Sequence, residues 1–561
     1  MSFRLTRLSL TLAAAAAMVH GSLAVAAVDV VELSVSDIEA GLNTGKFTAA
    51  GVMQAYLDRI SVYNSSYNAF TYLNPNAAAE AAAADAVLKA NGGVVPANKP
   101  MFGVPVVIKD SMNVAGVRTT SGYSGFTKEN GGADMIPLAD SPIVARLRAA
   151  GAIILGKTNL PSFARSGSNA NTSYLGPTYN TYNRNIIPGG SSSGTATAVS
   201  GSFAAIGTAE ETGGSIQNPA GAQALIGVKP TFGLVPTTGG VPLNGSTRDV
   251  FGVNARTVTD AANFMSVIAG PDASDKNTIP STGKPALGYA STLTTSALQG
   301  KRFGLFSTAF KNTPLSAETQ SLYDKNIAIL KAQGATVITD PFSDPGLSAT
   351  FASLAAAPNF NSLSGANTPN DLQNYLKTLD PSKSPTSVAA FKAKTGIDLL
   401  ASGGPLLGTY AADSETAKSV ATPDVSRDDL VAQFMQGRSN FLAAYRQVLD
   451  DYDLDGFFFP QEFREPGALV GGSYGNTTVS EINLLGTPQV NLPGGYYASG
   501  SPFSLAFLGD MWTESSLLNY AYDFEQATRY RTAPTLVPEP TALALIGAAG
   551  LGLARRRRRS R

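Results

Sequence analysis

The 561-residue chain contains no cysteine and a single histidine, His20. Lacking cysteine, it can form no disulfide, offers no thiol nucleophile and supplies no thiolate to a metal. His20 falls in an N-terminal stretch that reads as a removable leader, so the processed chain has no imidazole either. Ser-His-Asp catalysis, Cys-His catalysis and His- or Cys-ligated zinc are thereby excluded. Charge is also sparse: 15% of residues are charged, 41 basic against 41 acidic, while 43% are hydrophobic. That balance describes a chain able to bury a large core rather than a disordered one.

What the chain does have is glycine and serine in a particular order. Pro188-Gly-Gly-Ser-Ser-Ser-Gly194 is followed by Thr212-Gly-Gly-Ser-Ile-Gln-Asn-Pro219, which places Ser215 twenty-four positions after Ser191. Glycine permits tight turns and leaves backbone N–H groups uncovered, so Gly213 and Gly214 can build an anion pocket beside the Ser215 hydroxyl. This is the layout of an acyl-transfer site. A serine is a weak nucleophile without a base, and with histidine absent the remaining candidate is a lysine. Taken singly, Ser191 to Ser193 suit a turn, Ser215 a helix cap and a lysine such as Lys109 a surface position.

In order and spacing, these residues resemble the amidase signature family, whose hydrolases use a Ser-(cis-Ser)-Lys triad. The resemblance implies that Ser215 is the nucleophile, Ser191 the bridging serine with the cis peptide, and Lys109, at the end of Gly103-Val-Pro-Val-Val-Ile-Lys-Asp110, the base. It also implies an oxyanion hole of backbone N–H groups from Thr212, Gly213, Gly214 and Ser215. Further segments are similar to the family, among them Val144 to Gly151, Gly227 to Gly233, Ala255 to Ala262 and Leu505 to Glu514, so that it covers about residue 30 to 534. Residues 310 to 450 match least. Two departures stand out: Ala209-Glu210 replaces the usual Gly-Thr before the acidic Glu211, and Gln217 replaces the usual arginine. Without that arginine, Glu211 has to find another donor or face solvent.

The two ends carry targeting patterns. Arg4 and Arg7, an apolar run and Ala24-Val-Ala-Ala27 form a secretory leader, with cleavage expected near Ala26 or Ala27. Val537-Pro-Glu-Pro540, the apolar run Thr541 to Ala554 and the basic block Arg555 to Arg559 resemble a PEP-CTERM sorting signal of Gram-negative bacteria. That resemblance implies processing by an exosortase-type enzyme near the Pro-Glu-Pro motif. Fourteen apolar residues are marginal for a hydrocarbon core of ~30 Å, so membrane contact through the tail is expected to be transient. Removing the two arginines of the leader, then the six arginines and one glutamate of the tail, leaves 33 basic and 40 acidic residues, a net charge near −7. Such a body gives no support for nucleic-acid binding.

Apolar periodicity fills in the architecture. Ser36 and Glu39 have capping-box spacing before a short helix, Val52 to Tyr63 reads as an amphipathic helix, and Ala77 to Ala90 as an alanine-rich one. Val104 to Ile108 is a valine-rich run that reads as a buried strand delivering Lys109 into the core. A helix at 143–150, a strand at 152–155 and a strand at 335–339 continue an alternation that favours a layered α/β fold with few hairpins. The resemblance narrows this to the amidase signature fold, a mixed, mostly parallel sheet covered by helices on both faces. Gly151-Ala-Ile-Ile-Leu-Gly-Lys-Thr158 fits a phosphate-loop pattern, but its intervening residues form an apolar strand, not a loop of N–H donors. The segment from Ser362 to Pro423 is expected to provide surface helices and loops that shape a substrate entrance. Phe457-Phe-Phe459, Tyr496-Tyr497 and Trp512 suit either the core or an apolar acyl pocket.

The expected domains are a leader over 1–27, an amidase domain over 28–534 and a sorting signal over 537–561. The leading expectation is an exported amidase of small-molecule amides, in the periplasm, at the cell surface or in the matrix, needing no cofactor or metal and handled by a signal peptidase and an exosortase-type enzyme. The alternatives are a non-catalytic surface protein on the same scaffold and a glutaminase subunit of a tRNA-dependent amidotransferase.

Overall fold

The computed structural model describes residues 28–284, 288–343 and 363–537. The leader and everything from Pro538 onward lie outside the described residues. The described strands are β1 (Phe70–Leu73), β2 (Pro105–Lys109), β3 (Ile153–Thr158), β4 (Ile206–Glu211), β5 (Ile226–Lys229), β6 (Val250–Ala255), β7 (Arg302–Leu305), β8 (Thr336–Ile338), β9 (Gly456–Pro460), β10 (Gln489–Tyr496) and β11 (Pro502–Leu508). They join in one sheet in the order β1-β3-β2-β4-β6-β5-β10-β11-β9-β7-β8.

The fold is α/β, and the sheet is mixed and flanked by helices. Its parallel pairings lie in two blocks, β3-β2-β4 and β9-β7-β8. Between them β4, β6, β5, β10, β11 and β9 pair antiparallel, as does the edge strand β1. The parallel character expected from the helix–strand alternation is therefore carried by the two outer blocks and not by the middle, where the β10–β11 hairpin and non-helical returns reverse direction.

Alternation along β9 and β11 shows how both faces are covered. Phe458, Leu505 and Phe507 join the large core on one side, which includes Leu517, Leu518 and Phe524 of the helix Glu514–Thr528. Phe457, Phe459, Ala506 and Leu508 join a second core on the other, with Phe434, Phe441 and Tyr445 of the helix Asp428–Asp451. Period-two burial of this kind needs apolar residues at every position, which is why Phe457-Phe-Phe459 is unbroken. These aromatics are core, each fully buried side chain contributing about 1.5–3 kcal/mol.

Three local outcomes refine what the sequence suggests. The helices Ala49–Tyr67 and Ala77–Ala90 form where periodicity places them. The first helix, Val35–Asn43, uses the earlier capping box Ser34 with Asp37, not Ser36 with Glu39. The reason is tertiary: Asp260 accepts from the backbone N–H of Val35 and Ser36 and from Ser36 Oγ, so Ser36 already lies inside the first turn. Within 363–423, the helices Thr368–Leu376 and Val388–Thr395 do more than cover a surface. Leu372, Tyr375, Leu376 and Phe391 pack with Phe126 and Phe163 as a separate apolar cluster.

Candidate active site

β2 is apolar until its last residue, and that residue is Lys109, wholly buried. The strand fixes the backbone, with Lys109 N donating to Thr208 Oγ1 of β4 at 3.0 Å. The side chain runs to Ser191, Nζ to Oγ 2.8 Å, and also donates to the backbone carbonyl of Glu210 at 3.1 Å. Ser191 follows a cis peptide bond, Gly190–Ser191, and sits in a turn that leads into the helix Ser193–Ser200. That helix lies very close to the sheet. A Cβ on Gly194 would stand 2.4 Å from the backbone N of Asn159, and one on Gly207 of β4 would stand 2.7 Å from the Thr195 methyl group of that helix. Glycine at both places lets the serine turn reach the lysine.

The second serine turn follows β4 directly. Gly214 has φ +94°, and a Cβ there would lie 2.8 Å from Asn218 Nδ2, so the turn requires glycine at this point. The two turns are joined by a bond from Ser192 N to Ser215 O at 3.3 Å. Ser215 thus lies beside the Lys109–Ser191 pair, at the base of a cavity of about 350 Å³ that Thr212, Gly213, Leu243, Leu406 and Leu407 also line. The aromatic run Phe457 to Phe459, Tyr496, Tyr497 and Trp512 do not line it. A 440 Å³ groove elsewhere, bordered by Glu32, Arg256 and Arg531, is larger but holds neither serine turn, so chemistry rather than size identifies the site.

The departure at Gln217 is compensated. Glu211, fully buried, accepts from Ile216 N at 2.8 Å, Gln217 N at 3.2 Å, Gln217 Nε2 at 2.6 Å and Asn483 Nδ2 at 2.7 Å. Two amide side chains and two backbone N–H groups satisfy the carboxylate where an arginine was expected. Gln461 Nε2 lies 3.4 Å from Gln217 Oε1, and Gln461 Oε1 accepts from Gln489 and Asn491 at 2.7 Å each, so the support extends across β10. Asn483 arrives from 272 residues away, and no spacing rule in the sequence points to it.

The electrostatics around Lys109 have two opposing parts. Burial pushes its amine below the ordinary lysine value, and the carboxylate of Glu210, 3.5 Å from Nζ, pulls the other way, with Asp249 and Glu211 adding to it. In the sequence Glu210 stands out only as a departure from the family pattern. The pairing of β2 with β4, Val106 beside Ile206 and Val107 beside Gly207, is what brings it near the lysine. The phosphate-loop look-alike ends differently. Gly156, Lys157 and Thr158 belong to strand β3, and Lys157 Nζ is bonded to Asp110 at 2.6 Å and Thr119 Oγ1 at 2.7 Å.

A family model described as Amidase matches residues 51–402, and one described as the PEP-CTERM protein-sorting motif matches residues 536–559. The peptide amidase of Stenotrophomonas maltophilia is similar in structure, with a TM-score of 0.71 and 28% identity over 90% of this chain and 98% of that one. An amidase family protein of Bacillus anthracis gives a TM-score of 0.68 at 25% identity, covering 90% of this chain and 92% of its own. A glutamyl-tRNA(Gln) amidotransferase subunit of Acinetobacter baumannii is 28% identical over 92% of this chain and the whole of its own length.

Proposed function

This chain belongs to the amidase signature family, and from that premise we propose that it hydrolyses a carboxylic amide through a seryl acyl-enzyme outside the cytoplasm. The observation that carries the reading is the 2.8 Å contact between a wholly buried Lys109 and Ser191, beside Ser215 at the base of an open cavity. Lys109 acts when neutral. It takes the Ser191 proton as Ser191 takes that of Ser215, and Ser215 Oγ attacks the amide carbonyl. The tetrahedral oxyanion is received by backbone N–H groups of Thr212 to Ser215, where losing one donor typically costs about 3 kcal/mol. The proton returns through Ser191 to the leaving ammonia or amine, and water then hydrolyses the ester along the same route. Because the base must be neutral, the rate falls as pH drops and Lys109 is protonated.

Export is the second half of the proposal, supported by the leader pattern and the PEP-CTERM motif. On this reading a signal peptidase removes residues 1–27, an exosortase-type enzyme cuts near Pro540, and the remaining domain works on amides in the periplasm or at the surface. Two experiments test the halves separately. A fluorophosphonate should label Ser215, as mapped by mass spectrometry, and a small amide panel should release ammonia or amine; label on another residue removes Ser215 from the mechanism. Intact mass of protein from its native host should end near Pro540. A steady-state membrane form still carrying Arg555 to Arg559 would make the tail a lasting anchor.

The full-length similarity to an amidotransferase component favours one second reading, a glutaminase subunit. The sorting motif opposes it, since such a protein would work with tRNA in the cytoplasm. Glutamine hydrolysis that rises only with added partner subunits would decide for it.

A further inference from the structure

Beside Lys109, two carboxylates line one small cavity. Glu210 Oε2 lies 3.5 Å from Lys109 Nζ and accepts a short bond from Ser111 Oγ. Asp249 accepts from Thr212 Oγ1 at 2.5 Å, from Leu243 N at 2.9 Å and from Asn244 N at 3.0 Å. Both acids are almost fully buried. Between them is a small cavity of about 20 Å³, lined by Glu210, Asp249, Phe251 and the 240–245 loop. A cavity needs about 10–15 Å³ and two to four polar partners to hold one water, so this one suits a single molecule bridging the two acids. Thr237, Gly240, Pro242 and Gly245 line it and also line a cavity of about 500 Å³ on the outer side.

Resting on the amidase reading above, we propose that Glu210 is a positioning residue for the Ser215–Ser191–Lys109 chain: with Asp249 lining the same water-sized cavity, its carboxylate holds the ammonium form of Lys109 beside Ser191 and so sets the pH below which the base is lost. The charged groups facing this point are Glu210 and Glu211 from β4, Asp249 from the segment entering β6 and Arg248 beside Gly213. On the other face, Asp110 and Lys157 pair with each other. Glu211 is committed to four donors, which leaves Glu210 as the carboxylate in reach of Nζ. Burial first and the Glu210 carboxylate second raise Asp249 to about 7. In the family pattern a threonine usually stands at position 210, so this chain has a carboxylate where a hydroxyl is expected.

The sign of the effect is fixed. An ionised Glu210 holds the proton on Lys109, so removing the charge makes the lysine neutral at lower pH. Glu210→Gln is expected to move the acid limb of the kcat/KM profile downward by about one pH unit or more, as a charge within 4–6 Å does. Asp249→Asn should move it the same way by less, and Glu210→Asp should stay nearer the wild type. If Glu210→Gln fails to fold, Glu210→Thr carries the same expectation, and the pH dependence of fluorophosphonate labelling at Ser215 reads it without turnover. An acid limb that stays in place or moves upward in an active Glu210 variant overturns the proposal. If instead Lys109→Ala remains active, the lysine-base reading itself fails, so the two failures are told apart.

Discussion

Lys109 and Lys157 lie at the ends of neighbouring parallel strands, β2 and β3, and both are completely buried. In register, Ile108 stands beside Lys157 and Lys109 beside Thr158, so the two lysines point to opposite faces of the sheet. On one face Lys157 meets Asp110 at 2.6 Å, a closed ion pair that also donates to Thr119 Oγ1 and the Arg118 carbonyl. On the other, Lys109 meets a serine hydroxyl first and its carboxylate only at 3.5 Å. Residue type, kind of strand and burial are the same for both. The partner is what separates them: one lysine is closed into an ion pair, the other is left bonded to a serine hydroxyl.

The comparison is broken most severely at Lys109. Lys109→Ala should lower kcat/KM for any accepted amide by at least about a thousandfold, and Ser215→Ala should do the same without adding to it, because members of one proton-transfer unit fail together. Activity within tenfold of wild type in either variant would remove that residue from the unit. Lys157→Met should act on stability instead: it strands Asp110 in the interior and should cost about 3–5 kcal/mol in denaturant unfolding, while the folded fraction keeps its activity. A folded, stable and inactive Lys157→Met would reverse the assignment of the two faces.

Smaller effects sharpen the same contrast between polar groups that work and polar groups that hold. Gln217→Ala removes one of four donors to Glu211 and should cost about 1.5–3 kcal/mol of stability, with labelling of Ser215 still at its wild-type position. Glu462 supplies a pH-dependent case with no part in the site. It accepts from Tyr474 Oη at 2.7 Å and Ser504 N at 2.9 Å, and burial raises its pKa to about 8. A carboxyl raised on folding contributes stability that is full below its unfolded value and is lost as pH rises through about 8. Glu462→Gln should therefore flatten the fall in Tm between about pH 5 and 8, and an unchanged slope would mean that Glu462 is ionised in the fold throughout.

Much of this was legible in the chain itself. A five-residue valine-rich run reads as a buried strand, which carries Lys109 into the interior; the glycine pair before Ser215 makes a turn; the absence of cysteine and of any histidine beyond His20 left lysine as the candidate base. These are local constraints of periodicity, φ/ψ space and side-chain chemistry, and they travel with the sequence. Which strands run antiparallel, which serine caps the first helix and which donors replace the arginine opposite Glu211 are settled otherwise. Asp260, Asn483 and Asp249 reach their partners from 225, 272 and 37 residues away. Sequence spacing carries no distance between such groups. Only the assembly of the sheet and the packing of helices on its two faces brings them within hydrogen-bonding range, and with them the carboxylate of Glu210 to 3.5 Å from the lysine.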